Sequence, residues 1–425
     1  MKQFAKFIAY LLCYMVYPFS YLVPRTSKIL VFGSYRGGFN DNSKYQFIYA
    51  NEHIKNRKLI WISTKKSTVV HIRSLGYEAY FVASLKGLWY VLRAKYWFVN
   101  SYSSDIAFCL AGSAKIVNLW HGVPMKAIEF GITKGDLAKR YVQRDIRDTF
   151  YHPAPFRRPD YMVSTTDFFD GVFSQSFRIR KEQCIQTGCP RNILLNKPLA
   201  EVGAFIQKYE SKATKQLVAH IQQYDTVMVY MPTWRDSQRE CFANGFDLNA
   251  LNACAAAQNA CVLMKPHANT IIDKSAQYSN LIFLDGNVDM YCILPYTHVL
   301  ITDYSSILYD YILMPNKHVI LFHYDYEEYV NSREFIFDIQ DNIVGRKVYT
   351  FNELIQVIST NDYTMDATAR QKILDKFCGK TSDQNSCKLV FEKLRLLDYP
   401  SNSPLVTFLR KSTSFHPFIG CPCRV

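Results

Sequence analysis

Four short segments of the 425-residue chain place titratable or hydroxyl side chains just where an apolar run ends. In NLWHGVPMK, His121 and Gly122 follow the run 115–120 directly. An imidazole at that position can take a proton from an attacking hydroxyl, and a glycine lets the substrate come close. Lys126 adds positive charge nearby. In VYMPTWRD, Thr233 and Arg235 can grip a phosphate, one through a hydroxyl and the other through a two-pronged guanidinium, with Asp236 orienting the arginine. LMKPHAN sets Lys265 and His267 after the next run, a cation and an imidazole able to neutralise a diphosphate or help a nucleotide leave. In VLITDYSSILYDYILM the run reaches Thr302 and Asp303, and Ser305 and Ser306 then open a helix whose free N–H groups attract anions. Each segment alone also has a plainer account: a histidine capping a turn, an internal Arg–Asp pair, a serine capping a helix.

Residues of this kind need strands to carry them. Short β-rich runs alternate with helical stretches at 28–33, 58–63, 79–82, 95–101, 115–120 and 160–164, and again at 225–231, 260–265, 281–284, 298–302 and 317–322. That alternation predicts two α/β units with parallel sheets, whose ligands sit beyond the carboxyl ends of the strands. The polar stretch 196–224 separates the two series. The expected organisation is a membrane-associating segment 1–24, a first domain 25–200, a second domain 201–398 and a tail 399–425.

The run FIAYLLCYMVYPFSYLV, residues 7–23, carries no charge and is flanked by Lys2, Lys6, Arg25 and Lys28. It is short for a spanning helix and Pro18 interrupts it, which predicts an element lying at the membrane interface; a helix packed on the protein itself is the alternative. An excess of 50 Lys+Arg over 36 Asp+Glu favours acidic partners. The 12 cysteines lack zinc-like spacing and read as reduced thiols. There is no G-x-x-x-x-G-K-[ST] loop, no G-x-G-x-x-G fingerprint and no Asp-x-Asp pair. P-loop hydrolysis and simple dinucleotide binding are therefore disfavoured, and chemistry independent of metal and cofactor is expected.

Taken together and in order, these motifs, with TGCPRNILL (187–195) and the stretch ending in REFIFDI, resemble the CDP-glycerol glycerophosphotransferase family of teichoic-acid and capsule synthesis. The resemblance runs over about 310 residues and extends to GSYRGGFNDNSKY, where Gly33, Ser34, Asp41, Asn42 and Lys44 match the family's small-residue turn and D-N-x-K. It implies a glycosyltransferase-B-like pair of Rossmann-type domains facing a cleft, with a CDP-activated polyol phosphate as donor and CMP as leaving group. It also implies a lipid-linked polyanionic acceptor at the anionic inner face of the bacterial cell membrane, with no nucleic-acid partner. By position, His121 would be the general base and His267 would contact the donor diphosphate. Thr233, Arg235, Lys265, Thr302, Asp303, Ser305, Ser306 and Arg333 would hold phosphate, and Gly33, Ser34, Lys44, Gly122 and Lys126 would lie on the acceptor side. Glu334 stands where the family has glycine, Cys189 where it often has tyrosine and Val123 where it often has threonine. Two other readings compete: a nucleotide-sugar glycosyltransferase of the same fold, and a non-catalytic polyanion-binding protein.

Overall fold

The computed structural model describes residues 2–233, 246–265, 277–286, 288–379 and 384–397. Seven parallel strands form the first sheet: β1 (Thr26–Phe32), β2 (Lys58–Ser63), β3 (Ala79–Phe81), β4 (Ala94–Val99), β5 (Lys115–Asn118), β6 (Tyr161–Ser164) and β7 (Cys184–Gln186). Six more form the second: β8 (Thr226–Tyr230), β9 (Ala260–Met264), β10 (Leu281–Phe283), β11 (Val299–Thr302), β12 (His318–Phe322) and β13 (Arg346–Val348). The orders are β3-β2-β1-β4-β5-β6-β7 and β10-β9-β8-β11-β12-β13. Each sheet is doubly wound, and the order reverses between β1 and β4 in the first and between β8 and β11 in the second. Chain leaving those strands opens a crevice.

The strands are continuous apolar runs because helices cover both faces of such a sheet. All five residues of β9 are buried, as are all but Lys58 of β2. Trp61 and Trp97, both fully buried, supply much of the apolar area in the first lobe. β7 and β13 were not expected from the sequence: each is three residues long, and CIQ and RKV lack an apolar run. The polar stretch between the sheets folds into helices Leu199–Tyr209 and Lys212–Ile221. After the second sheet, helix Ser386–Lys393 packs back on the first lobe. Gln46 donates to the Cys387 carbonyl at 3.0 Å, and the Phe391 ring meets that of Phe98 at 5.5 Å.

An N-terminal helix, Lys2–Phe19, lies along the first lobe. One side of it packs through Tyr14 on Phe150 and Tyr17 on Phe108, with ring centroids 5.3 and 4.7 Å apart. The other side, with Phe4, Leu11, Leu12, Met15 and Phe19, is exposed. No described helix is long and apolar enough to cross a membrane. The flanking cation Arg25 does not face outward as a headgroup ligand would. Its guanidinium donates to the carbonyls of Val91, Ala94 and Leu110 at 2.8, 2.9 and 2.6 Å, pinning the start of β1.

Candidate active site

His121 leaves the end of β5 on a backbone that ordinary residues avoid: Trp120 has φ +53 and Gly122 has φ +116. Such strain persists only where the surroundings hold it. Asn118 accepts from the Trp120 N–H at 2.9 Å, and Asn42 donates to the Leu119 and Trp120 carbonyls at 3.1 and 2.9 Å. At position 122 a Cβ would stand 2.4 Å from an Arg191 nitrogen, so only glycine fits.

The ring of His121 stacks on Trp120 at 4.1 Å, and its Nδ1 lies 3.3 Å from the Asn100 carbonyl. A carbonyl only accepts, so Nδ1 carries the proton. In the neutral ring the lone pair is then on Nε2. Burial among protein atoms lowers the imidazole pKa below its ordinary value, and Arg191 adds to this, while Asp41 and the Asn100 carbonyl pull it back up. The ring remains open on its cleft side. His121 is thus a neutral, tautomer-fixed base at neutral pH.

Asn100 is a hub that the sequence reading missed. Its side chain donates to Ser34 Oγ at 2.8 Å and accepts from the Ser43 N–H at 2.8 Å, and its own N–H is held by Asp105 at 2.9 Å. A clue was available in its position directly after β4, beside the reversal of strand order.

A cleft of about 210 Å³ runs from Trp120 through Lys126 and Ile128 on the first lobe to Thr233, Tyr304, Ser305 and Ser306 on the second. His121, Gly122, Lys126, Thr233, Ser305 and Ser306, widely separated in sequence, therefore share one cavity. Ser305 and Ser306 precede the short helix Ile307–Tyr311, and neither side chain caps it. Lys126 Nζ reaches the Tyr329 hydroxyl of the other lobe at 2.5 Å. Beside it Lys126 and Phe335 form an antiparallel bridge, with Ala127 N–H donating to the Glu334 carbonyl at 2.8 Å and Ile336 N–H to that of Met125 at 3.1 Å. The carboxylate of Glu334, the residue replacing the family's glycine, accepts from the N–H groups of Thr133 and Lys134 at 2.8 and 3.0 Å and from the Thr133 hydroxyl. Arg333 immediately precedes this strap.

Other candidates support the cleft from behind. Thr302 is fully buried and its hydroxyl donates to the Met231 carbonyl at 2.8 Å. Asp303 is buried and accepts from Thr233 N–H at 2.9 Å and from its hydroxyl at 2.6 Å, tying the exits of β8 and β11 together. Both are braces rather than surfaces a phosphate can touch. Gly33 and Ser34 are likewise internal: a Cβ on Gly33 would stand 2.5 Å from Ile106, and Ser34 is fully buried between Asn40 and Asn100.

Lys44, expected on the acceptor side, points away from the cleft. It is 1% exposed and ion-paired with Glu210 and with Asp289, the latter at 2.8 Å. Burial disfavours its charge, but Asp289, Cys292 and Glu210 outweigh that and hold its pKa above the ordinary lysine value. Among the described residues Glu210, Asp289 and Cys292 are spaced closely enough to hold a cation, but Lys44 already supplies one there, and none of the three lines the cleft. Lys265 turns to the carbonyls of Asp285 and Val288 at 2.7 and 3.3 Å, and burial lowers its pKa. Arg235 and His267 lie outside the described residues.

Two doubly wound parallel sheets of seven and six strands, with one cleft lined from both, make the fold one of the glycosyltransferase-B type. Residues 15–394 match the profile of the CDP-glycerol:poly(glycerophosphate) glycerophosphotransferase family, and the chain belongs to it. It is 26% identical over 380 residues to a teichoic acid glycerol-phosphate transferase of Staphylococcus aureus, covering 86% of this chain and 93% of that one. It is 27% identical over 395 residues to a teichoic acid poly(glycerol phosphate) polymerase of Bacillus spizizenii, covering 88% and 93%. The solved wall teichoic acid polymerase TagF has the same fold, with a TM-score of 0.71 at 20% identity over 93% of this chain and 99% of that one.

Proposed function

We propose that the cleft moves glycerol phosphate from CDP-glycerol to the terminal hydroxyl of a lipid-linked poly(glycerol phosphate) chain, releasing CMP. The reading rests on one relationship: a neutral His121 with its Nε2 lone pair free stands in the same cavity as the hydroxyls of Ser305 and Ser306. The two relatives described above, each matched over 93% of its own length, are named for glycerol phosphate, which favours glycerol over ribitol.

His121 Nε2 takes the proton of the acceptor hydroxyl as its oxygen attacks the donor's β-phosphorus, the atom bearing glycerol. The bond from that phosphorus to the bridging oxygen breaks, and CMP departs with the oxygen. The Ser305 and Ser306 hydroxyls and Lys126 stabilise charge on the phosphoryl oxygens. Lys265, Arg235, His267 and Arg333 belong to the donor side of this reading. Little covalent chemistry is asked of the protein, so positioning supplies most of the acceleration.

The exposed side of the N-terminal helix, with Phe4, Leu11, Leu12, Met15 and Phe19, would lie in the headgroup region at the cytoplasmic face of the cell membrane, bringing the cleft to a lipid-linked acceptor. This rests on composition and exposure, and it makes the protein peripheral.

The test is nucleotide release from CDP-glycerol, CDP-ribitol and nucleotide sugars on a defined lipid-linked acceptor. CMP release with CDP-glycerol as the preferred donor is expected, and His121→Ala should lower kcat by about 10² to 10⁴ while leaving donor affinity near wild type. Preference for a nucleotide sugar, or near-normal turnover in His121→Ala, would overturn the assignment.

A further inference from the structure

Arg191, from TGCPRNILL, is buried and bridges the two lobes. Its Nη1 lies 2.8 Å from Asp41 Oδ1 on the first lobe, and its Nη2 lies 2.6 Å from Asp310 Oδ2 on the second. The guanidinium covers the ring of Tyr291 at 4.4 Å, and the Tyr291 hydroxyl donates to the same Asp310 oxygen at 2.5 Å. Asn192 donates to the other Asp310 oxygen at 2.9 Å.

Each partner leads to one half of the site. Asp310 lies in the helix Ile307–Tyr311, which begins directly after Ser305 and Ser306. On the other side Arg191 N–H donates to the Asn42 side-chain oxygen at 2.9 Å, and the amide of the same Asn42 holds the carbonyls of Leu119 and Trp120. Arg191 Nη2 also fills the space where Gly122 would carry a Cβ. A rigid path of hydrogen bonds and short backbone segments therefore joins the serine corner to His121.

We propose that Arg191 is a positioning residue for the transfer, fixing the separation between the phosphate-holding corner at Ser305–Ser306 and the base at His121 so that both halves of the site move as one body. The inference rests on the reading of those residues given above. A planar fork suits this task. It spans two carboxylates in set directions, whereas a lysine offers one mobile point charge. In-line phosphoryl transfer is sensitive to that separation, because a misplacement of about 1 Å can cost about 10²-fold in rate. The charged groups around His121 are Asp41 and Arg191 beside it, Asp105 behind Asn100, and Lys126 along the cleft.

The experiment compares Arg191→Lys with wild type in the full chain, by thermal melting, calorimetric CDP-glycerol affinity, and the pH dependence of kcat. Arg191→Lys should remain folded and bind CDP-glycerol close to normally, while kcat falls about 100-fold. Lysine keeps a positive charge at this position, so the acid limb of the profile should stay near its wild-type pH while kcat falls across the whole range, which marks misplacement rather than altered basicity of His121. A merely structural arginine would lower the melting temperature and leave kcat in place, and that result overturns the proposal. If Arg191→Lys does not fold, Tyr291→Phe carries the test, since it removes one donor from Asp310 and keeps every ion pair. A lower kcat at unchanged donor affinity supports the proposal, and a wild-type kcat overturns it. Turnover persisting in His121→Ala would instead defeat the underlying assignment of the base, whatever the Arg191 variants do.

Discussion

The side-chain amide of Asn42 donates to the carbonyl of Trp120 at 2.9 Å, and Trp120 is held there at a φ of +53. The aspartate-asparagine pair after the first strand therefore acts from beneath the base: Asn42 is fully buried and reaches no substrate. In Asn42→Ala the Leu119 and Trp120 carbonyls and the Arg191 N–H lose their partner. Leaving such groups unmet costs about 1–3 kcal/mol each. With three groups affected, urea unfolding should show a loss of at least about 3 kcal/mol, and kcat should drop more than donor affinity as the left-handed turn relaxes. A variant of full stability and full turnover would show that the turn holds itself.

His323 follows β12 and is 1% exposed, its ring stacked on Tyr304 at 4.8 Å. Burial lowers its pKa to about 4, against the weaker opposing pull of Asp303. A histidine in the unfolded chain titrates near 6.5. Between those values the unfolded chain binds the extra proton, so stability is full above pH 6.5 and falls as the pH drops toward 4, by an amount on the order of 3 kcal/mol. Urea midpoints at pH 7.5 and 4.5 should therefore converge in His323→Phe relative to wild type, and equal acid loss in the two proteins would remove His323 as its source.

Glu334 clasps the backbone of Thr133 and Lys134 across the lobes. The hydrogen bonds hold its pKa below the ordinary glutamate value, the Thr133 hydroxyl most of all, so the clasp is intact at neutral pH and weakens as acid protonates the carboxylate. Replacement by glycine should raise hydrogen exchange at the Thr133 and Lys134 amides about tenfold, equivalent to about 1.4 kcal/mol of local opening, with little change in global melting. Unchanged exchange would mean that the neighbouring backbone bridge holds the strap unaided.

Leu12 and Met15 on the N-terminal helix are 53% and 57% exposed. Burying one such side chain fully contributes about 1.5–3 kcal/mol, so Leu12→Glu with Met15→Glu should weaken co-sedimentation with phosphatidylglycerol vesicles at least about tenfold without lowering the melting temperature. Undiminished sedimentation would assign membrane attachment to another surface.

Much of the scaffold was legible from local pattern. Eleven apolar runs correspond to strands β1–β6 and β8–β12, because a parallel strand covered on both faces must be apolar along its length. The missed strands, CIQ and RKV, are no shorter than β3 and β10 but carry polar residues, so no apolar run marks them and the neighbouring strand sets their conformation. The strand-end placement of His121, Thr233, Asp303, Ser305 and Ser306 was readable for the same reason.

Residue order alone determined that a basic, two-part α/β chain presents an imidazole, hydroxyls and cations at strand ends, and it carried the family resemblance. The tertiary structure decided which of these face the cleft. Lys44, Ser34, Thr302 and Asp303 match a family motif yet turn inward, while the Asn100 carbonyl meets His121 and Arg191 pairs with a carboxylate of each lobe. Which side chains follow a strand is set by residue order, but their direction depends on the backbone turn and on partners distant in the chain, such as Asp289 for Lys44 and Met231 for Thr302. Burial of a charge or amide is tolerated only where folding brings those partners to it.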